Sequence, residues 1–376
     1  MGVKYITDIG KIAEIPEQER KRLEEVLKHF SFRTNSYYLS LINWNDPEDP
    51  IRKIIIPDIR ELDAWGDLDA SNEAANYVAP GCQHKYPHTV VILVNEVCGG
   101  YCRFCFRKRI FHEDNDEFSR DISGALDYVR KVPRITNVLL TGGDPLVLSS
   151  KKLDKIIGAV REIDHVKIIR IGTKIPAFNP LRIIDDPRFP EVISRYSTKQ
   201  KRLYFLVQFN HPREITDEAL HAVDIILKAG AQIANQTPIL RGINDDPEVL
   251  TELMRKLSHA GVPPYYFFQC RPTMGNRLFT VPITEAYSKL EEAKKAVSGL
   301  GKRAKYVMSH ATGKIEIVGL TDKRIYLKYH RARNPRDESR FMVFARDDNA
   351  YWLEDLREIG QPVKDHTFPH LPQREI

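Results

Sequence analysis

The chain has 376 residues, 42% of them hydrophobic, and a formal charge of +6 from 57 basic and 51 acidic residues. That length suits two domains or one large α/β barrel. The small basic excess, with no basic stripe interleaved with aromatics, reads as a solvated surface and excludes a dedicated nucleic-acid face. No apolar run approaches the ~18 residues of a membrane span, the charged first residues lack a signal core, and five cysteines without a secretion signal point to the cytoplasm.

In chain order, residues 16–30 read as an amphipathic helix, with Leu23, Val26, Leu27 and Phe30 at helical spacing. Turn material follows at 45–50, and residues 1–84 together read as an N-terminal helical and loop segment. From Thr89 short β-branched or aromatic runs alternate with helical patterns. The runs at 90–95, 137–141, 166–171, 203–209, 232–237 and 265–269 predict strands. The stretches at 123–131, 151–162, 217–229 and 246–260 predict helices. Such alternation implies an α/β fold with a parallel sheet and right-handed crossovers. Six units over 85–300 suggest a partial (βα)6 TIM-like barrel, with chemistry at the C-terminal ends of the strands. Beyond it, 301–376 reads as an α+β extension: paired strands near 325–329 and 340–344, then a polar, Pro-interrupted surface stretch at 358–376.

Cys98, Cys102 and Cys105 stand at spacing C-x3-C-x2-C, just after the first predicted strand and just before Arg107, Lys108 and Arg109. Three close thiolates suit a metal centre. An ordinary iron–sulfur cube takes four, so three would leave one iron open to a ligand. Zinc would call for further Cys or His at short spacing, and a disulfide would leave an odd thiol; neither suits this pattern. Cys82 and Cys270 read as buried thiols.

This spacing at the end of the first strand resembles the radical S-adenosylmethionine (SAM) superfamily. The resemblance implies a 4Fe–4S cluster on Cys98, Cys102 and Cys105, whose fourth iron binds SAM and whose electron cleaves it to a 5′-deoxyadenosyl radical. Other strand ends carry the likeness further. Gly142-Gly143-Asp144 would alone be an ordinary turn, but here it resembles the element whose backbone receives the SAM amino group. Arg170-Ile171-Gly172-Thr173-Lys174 and Gln208-Phe209-Asn210-His211-Pro212 could be mere caps or turn formers. Together they resemble SAM-contacting segments of the lysine 2,3-aminomutase family, which implies roles for Arg170, Gln208 and His211. The likeness spans roughly residues 32–314.

In that family a Gly-Lys-Ile segment after the barrel carries the lysine that forms a Schiff base with pyridoxal 5′-phosphate (PLP), and Lys314 falls on that position. A lysine amine can be primed for this by desolvation. The resemblance further implies that Arg107 pairs with the substrate carboxylate, a task suited to a guanidinium fork. It also implies an amino-acid 2,3-aminomutase, an isomerase with a flavodoxin- or ferredoxin-type electron donor and a tendency to form homo-oligomers.

Two departures bear on substrate and cofactor. Lysine-specific members have an aspartate where this chain has Arg271, and no acid lies in Val307-Met308-Ser309-His310 before Lys314. A cationic Arg271 beside a lysine ammonium would cost on the order of several kcal/mol in a partly buried site. The expected substrate is therefore not lysine but an amino acid with an acidic or neutral polar side chain, glutamate first. Second, the family's two upstream phosphate-binding arginines become Lys85 and Thr89, so one charge is kept and one lost. The alternative reading is a PLP-independent radical SAM enzyme gripping an anionic substrate through Arg107 and Arg271.

Overall fold

The computed structural model describes residues 2–111 and 117–359. A short antiparallel ribbon, β1 (Tyr5–Ile6) with β2 (Thr34–Asn35), belongs to the N-terminal segment. All other strands join one sheet in sequence order. They are β3 (Tyr77–Ala79), β4 (Cys82–Tyr86), β5 (Thr89–Asn95), β6 (Asn137–Gly142), β7 (Ile168–Thr173), β8 (Leu203–Val207), β9 (Gln232–Pro238), β10 (Pro264–Phe268), β11 (Lys305–His310), β12 (Gly313–Leu320), β13 (Arg324–Ala332) and β14 (Phe341–Ala345). Strands β5 to β11 run parallel; β3 and β4 on one flank, and β12 to β14 on the other, are antiparallel.

The parallel strands read as near-continuous apolar runs because both faces are covered. Val90, Ile92 and Val94 of β5 pack in one core with Leu126 and Val129 of the helix Ser123–Lys131 and Ile157 and Val160 of the helix Ser150–Arg161. The sheet curls until its flanks touch. Arg331 on β13 reaches the Thr89 hydroxyl on β5 at 3.4 Å, and Lys85 on β4 donates to the His310 carbonyl on β11.

Several boundaries differ from the sequence expectation for identifiable reasons. Strand β7 starts at Ile168, because the Val166 amide closes a turn onto the Ile163 carbonyl. Strand β8 stops at Val207, because the Asn235 side chain takes both backbone groups of Phe209. Strands β3 and β4 and the helices Arg188–Tyr196 and Ile283–Lys295 had no counterpart in the sequence reading.

The N-terminal segment has a purpose in packing. The helices Glu17–Leu27 and Pro50–Ile55 build a second apolar core with Tyr38, Phe104, Phe178 and Phe279. Asp49 caps the second helix, accepting from the Ile51 and Arg52 amides. Among the described residues no helix is long and apolar enough to cross a membrane. Of the expected polar stretch at 358–376, all but its first two residues lie outside the described residues.

Candidate active site

The loop after β5 has no regular structure of its own, and the N-terminal segment fixes it. The Tyr101 amide donates to the Arg33 carbonyl and the Arg103 amide to the Ile54 carbonyl. Arg33 and Asn35 donate side-chain hydrogen bonds to the Cys98 and Gly99 carbonyls. Beneath the loop Arg103 grips Glu61 with two hydrogen bonds of 2.8 and 2.9 Å, and Lys108 joins the same carboxylate at 3.1 Å. All three side chains are buried.

So held, Cys98, Cys102 and Cys105 face one cavity of about 340 Å3 at the C-terminal ends of the strands. That size is within the range of small-molecule sites. Burial pushes all three thiols above the usual range, and for Cys98 the carboxylate of Asp144 and the other two cysteines add to it. Three such thiols become thiolates together only with cations to hold them, which is the chemistry of an iron–sulfur cluster. Among the described residues no three Cys, His, Asp or Glu converge on a single metal ion. A cube, which takes one thiolate per iron, does not require that.

Beside the cysteine loop, Gly142 and Gly143 bring the end of β6 against residues 95–97. Gly142 has φ +123°, and a Cβ there would stand 2.3 Å from the Asn95 carbonyl oxygen. A Cβ on Gly143 would stand 2.5 Å from that of Val97. Only glycine permits this approach. Asp144, on the cavity wall, ties β6 to β7: it accepts from the Thr173 hydroxyl at 2.7 Å, the Lys174 amide at 2.6 Å and the Leu146 amide at 3.0 Å. Burial pushes its carboxyl up to about 6 against these donors. Arg170 and Gln208 line the cavity; Arg170 donates to Asn137 and has no carboxylate within ion-pair distance among the described residues. His211 is not on the wall. Its ring caps the turn Pro212–Glu214 by accepting from the Arg213 amide.

Lys314, on β12, opens into the same cavity. Its ammonium lies 3.9 Å from the Tyr266 ring centroid and 5.1 Å from that of Phe268. Among the described residues it has no hydrogen-bond or ion-pair partner. Burial pushes its pKa well below the usual lysine range, and Arg170, Arg331, Arg271 and Lys85 push it further down. This is an amine poised to be neutral and nucleophilic. Lys85 is likewise lowered, by burial and then by Arg271, to about 8.

Arg107 and Arg271 converge on Glu73, a residue the sequence reading passed over. Arg107 donates to it at 2.9 and 3.2 Å, Arg109 at 2.9 Å, and Arg271 approaches at 3.4 Å. Arg271 also donates to the Ser309 hydroxyl at 3.1 Å. Both guanidiniums stack on Phe106, at 4.8 Å for Arg107 and 3.7 Å for Arg271. Burial would raise the Glu73 carboxyl, but Arg107 and Arg271 outweigh it and hold it well below the ordinary carboxylate range. Glu73 sits in a turn-rich stretch with no motif around it, so nothing local in the sequence could have found it. On the wall, the Asn76 side-chain oxygen is buried without a hydrogen-bond partner among the described residues, as a polar group awaiting a ligand would be.

Comparison with known proteins follows the same lines. Residues 92–254 match the model of the radical SAM superfamily. A protein of Aquifex aeolicus (strain VF5) named "Putative L-lysine 2,3-aminomutase" is 54% identical over 363 residues, covering 96% of this chain and 97% of that protein. The L-lysine 2,3-aminomutase of Clostridium subterminale is 36% identical over 300 residues, 79% of this chain and 71% of its own. The glutamate 2,3-aminomutase of Clostridioides difficile (strain 630) is 34% identical over 300 residues, 78% and 70% of the two chains.

Proposed function

Because the chain belongs to the lysine 2,3-aminomutase family of the radical SAM superfamily, we propose that it is an isomerase that exchanges an amino group and a hydrogen between carbons 2 and 3 of an amino acid other than lysine. We read 85–300 as the partial (βα)6 barrel, 1–84 as the segment that braces its cysteine loop, and 301–376 as the extension that delivers Lys314. When bound, the cluster and SAM supply a carbon radical, and PLP supplies a carbonyl for the substrate amine and a π-system for the unpaired electron.

The chain's own residues divide the remaining work. Cys98, Cys102 and Cys105 hold the cluster. The backbone at Gly142 and Gly143 and the side chains of Arg170 and Gln208 hold SAM, with His211 fixing the strand-end turn beside them. Lys314 presents its amine to the PLP aldehyde, and Lys85 contributes charge to the PLP phosphate. Arg107 and Arg271, aligned by Glu73 and Phe106, orient the substrate's acidic group. The aromatic wall of Tyr266 and Phe268 excludes water from the reacting carbons. The electron comes from a flavodoxin- or ferredoxin-type donor.

The observation that carries the substrate choice is the state of the acids. Among the described residues, Glu73 and Asp144 are the acids on the cavity wall. Glu73 is shared by three guanidiniums, and the oxygens of Asp144 are taken by Thr173, Lys174 and Leu146. Among the described residues a distal substrate ammonium would find no uncommitted carboxylate, and it would face Arg271. An acidic or neutral polar side chain, glutamate first, meets no such penalty. The test is turnover by anaerobically reconstituted protein with SAM, PLP and a reductant. Glutamate should yield its 3-amino isomer and lysine none; efficient lysine turnover without glutamate turnover overturns the proposal. Borohydride reduction after PLP addition should place a pyridoxyl group on Lys314. Intact SAM cleavage without that adduct would favour the PLP-independent alternative.

A further inference from the structure

Thr89 stands where a cation would be needed to balance a second phosphate charge, and the sequence near it offers none. The fold supplies one from the other flank of the sheet. Arg331, on β13, sends both terminal nitrogens to the Thr89 hydroxyl, at 3.4 and 3.5 Å. Its guanidinium lies 4.3 Å from the Tyr86 ring centroid. Thr89 and Tyr86 both line the cavity, so the guanidinium stands just behind its wall, against two residues that form it. No carboxylate lies within ion-pair distance of Arg331 among the described residues. A half-buried arginine in that state, held only by a neutral hydroxyl and a ring face, is an anion site without its anion.

Its position relative to Lys314 narrows the anion. Lys314 and Arg331 are register partners across β12 and β13. Directly paired residues of adjacent strands project on one face with Cβ atoms about 5 Å apart. In PLP the aldehyde and the phosphate-bearing methylene stem from neighbouring ring carbons. A lysine for the first and an arginine for the second therefore belong on adjacent positions of one surface.

We propose that Arg331, with Thr89 as its hydroxyl partner and Lys85 across the site, forms the PLP phosphate subsite, the β13 arginine replacing a cation that the β5 position lacks. The inference rests on the PLP reading given above. It extends the active site into the C-terminal strands, which thereby contribute two residues, Lys314 and Arg331, to one cofactor.

The test compares PLP with pyridoxal, which has the aldehyde but no phosphate, by absorbance titration of the reconstituted full chain and by borohydride trapping at Lys314. Arg331→Gln should weaken PLP binding about 10- to 100-fold, as loss of a charge-assisted contact does. It should weaken pyridoxal binding far less, by no more than the share of Arg331 in depressing the Lys314 amine. Arg331→Lys should recover part of the loss, and inorganic phosphate should compete with PLP in the unaltered protein but less in Arg331→Gln. Equal weakening of PLP and pyridoxal, or no weakening of either, overturns the phosphate role while leaving the PLP reading intact. Absence of any PLP adduct at Lys314 in the unaltered protein overturns both.

Discussion

Glu73 offers the sharpest test of the arginine cluster. In the protein its carboxylate meets three guanidiniums at 2.9, 2.9 and 3.4 Å. At an effective dielectric of about 20, each such attraction is worth about 4 kcal/mol before desolvation and the repulsion among the arginines are subtracted. Removing one partner of a buried pair costs about 3–5 kcal/mol. Glu73→Gln should fall at the lower end, because Arg109 keeps Glu117 at 2.5 Å and Arg271 keeps Ser309 at 3.1 Å. With an unfolding entropy of about 2.1 cal/mol/K per residue, a chain of 376 residues loses about 4 °C for 3 kcal/mol. Thermal melts followed by circular dichroism, with both proteins free of ligands, read this shift. The carboxyl is lowered in the folded state, so its contribution is complete above the ordinary pKa of 4.5 and is lost as pH falls below it. The gap between the two proteins should therefore close in acid by about 1.4 kcal/mol per pH unit. A Gln variant that melts with the parent at pH 7.5, or a gap that widens in acid, would refute the claim that Glu73 holds these arginines.

Asp144 has the opposite sign. Its folded pKa is raised from 3.8 to about 6, so it contributes stability that is complete below 3.8 and lost as pH rises through about 6, roughly 3 kcal/mol across the window. Urea midpoints of Asp144→Asn between pH 4 and 7 should lack that slope; an unchanged slope assigns it to another group. Lys314→Met should abolish the pyridoxyl adduct yet raise the melting temperature, since it removes an unpaired cation crowded by Arg170 and Arg331. A lowered melting temperature would mean that the amine has a stabilising partner. Arg103→Met should cost about 3 kcal/mol, because it leaves the buried Glu61 with Lys108 as its remaining cation, and should lower the iron bound per chain after reconstitution. Full iron incorporation would show that the cysteine loop does not need this brace.

What could be read from the sequence was what lies close together in it. The three cysteines fall within eight consecutive positions, so their spacing marks that part of the cavity, while the Gly-Gly-Asp turn after β6 gains meaning only through the family resemblance. Arg331 and Thr89 are 242 positions apart, and only the curl of the sheet brings them together. Glu73 and Arg271, 198 positions apart, meet for the same reason. Strand β4 escaped notice because its side chains, Cys82-Gln83-His84-Lys85-Tyr86, are largely polar where Gln83, Lys85 and Tyr86 line the cavity, which erases the alternation that marks a half-buried strand. His211 shows the converse: the resemblance groups it with ligand-facing strand ends, and its ring accepts from the Arg213 amide in the turn that follows.

The charge on the cavity wall also explains why the overall charge of the chain was a poor guide. Among the described residues, Lys85, Arg107, Arg170, Lys174, Arg271 and Lys314 line it against Glu73 and Asp144. Lys174 is neutralised from behind by Glu214. The Glu73 side gathers Arg107 and Arg271 around a shared carboxylate. The Lys314 side gathers Arg170, Lys85 and, just behind the wall, Arg331, with no carboxylate paired to them among the described residues. Two ligands that bring their own negative charge would relieve both clusters, one anionic group near Phe106 and one near Tyr86. A cationic substrate would relieve neither. The same imbalance that depresses the Lys314 amine would also oppose a distal ammonium, so under the proposed function the reactivity of the lysine and the choice of substrate share one electrostatic origin.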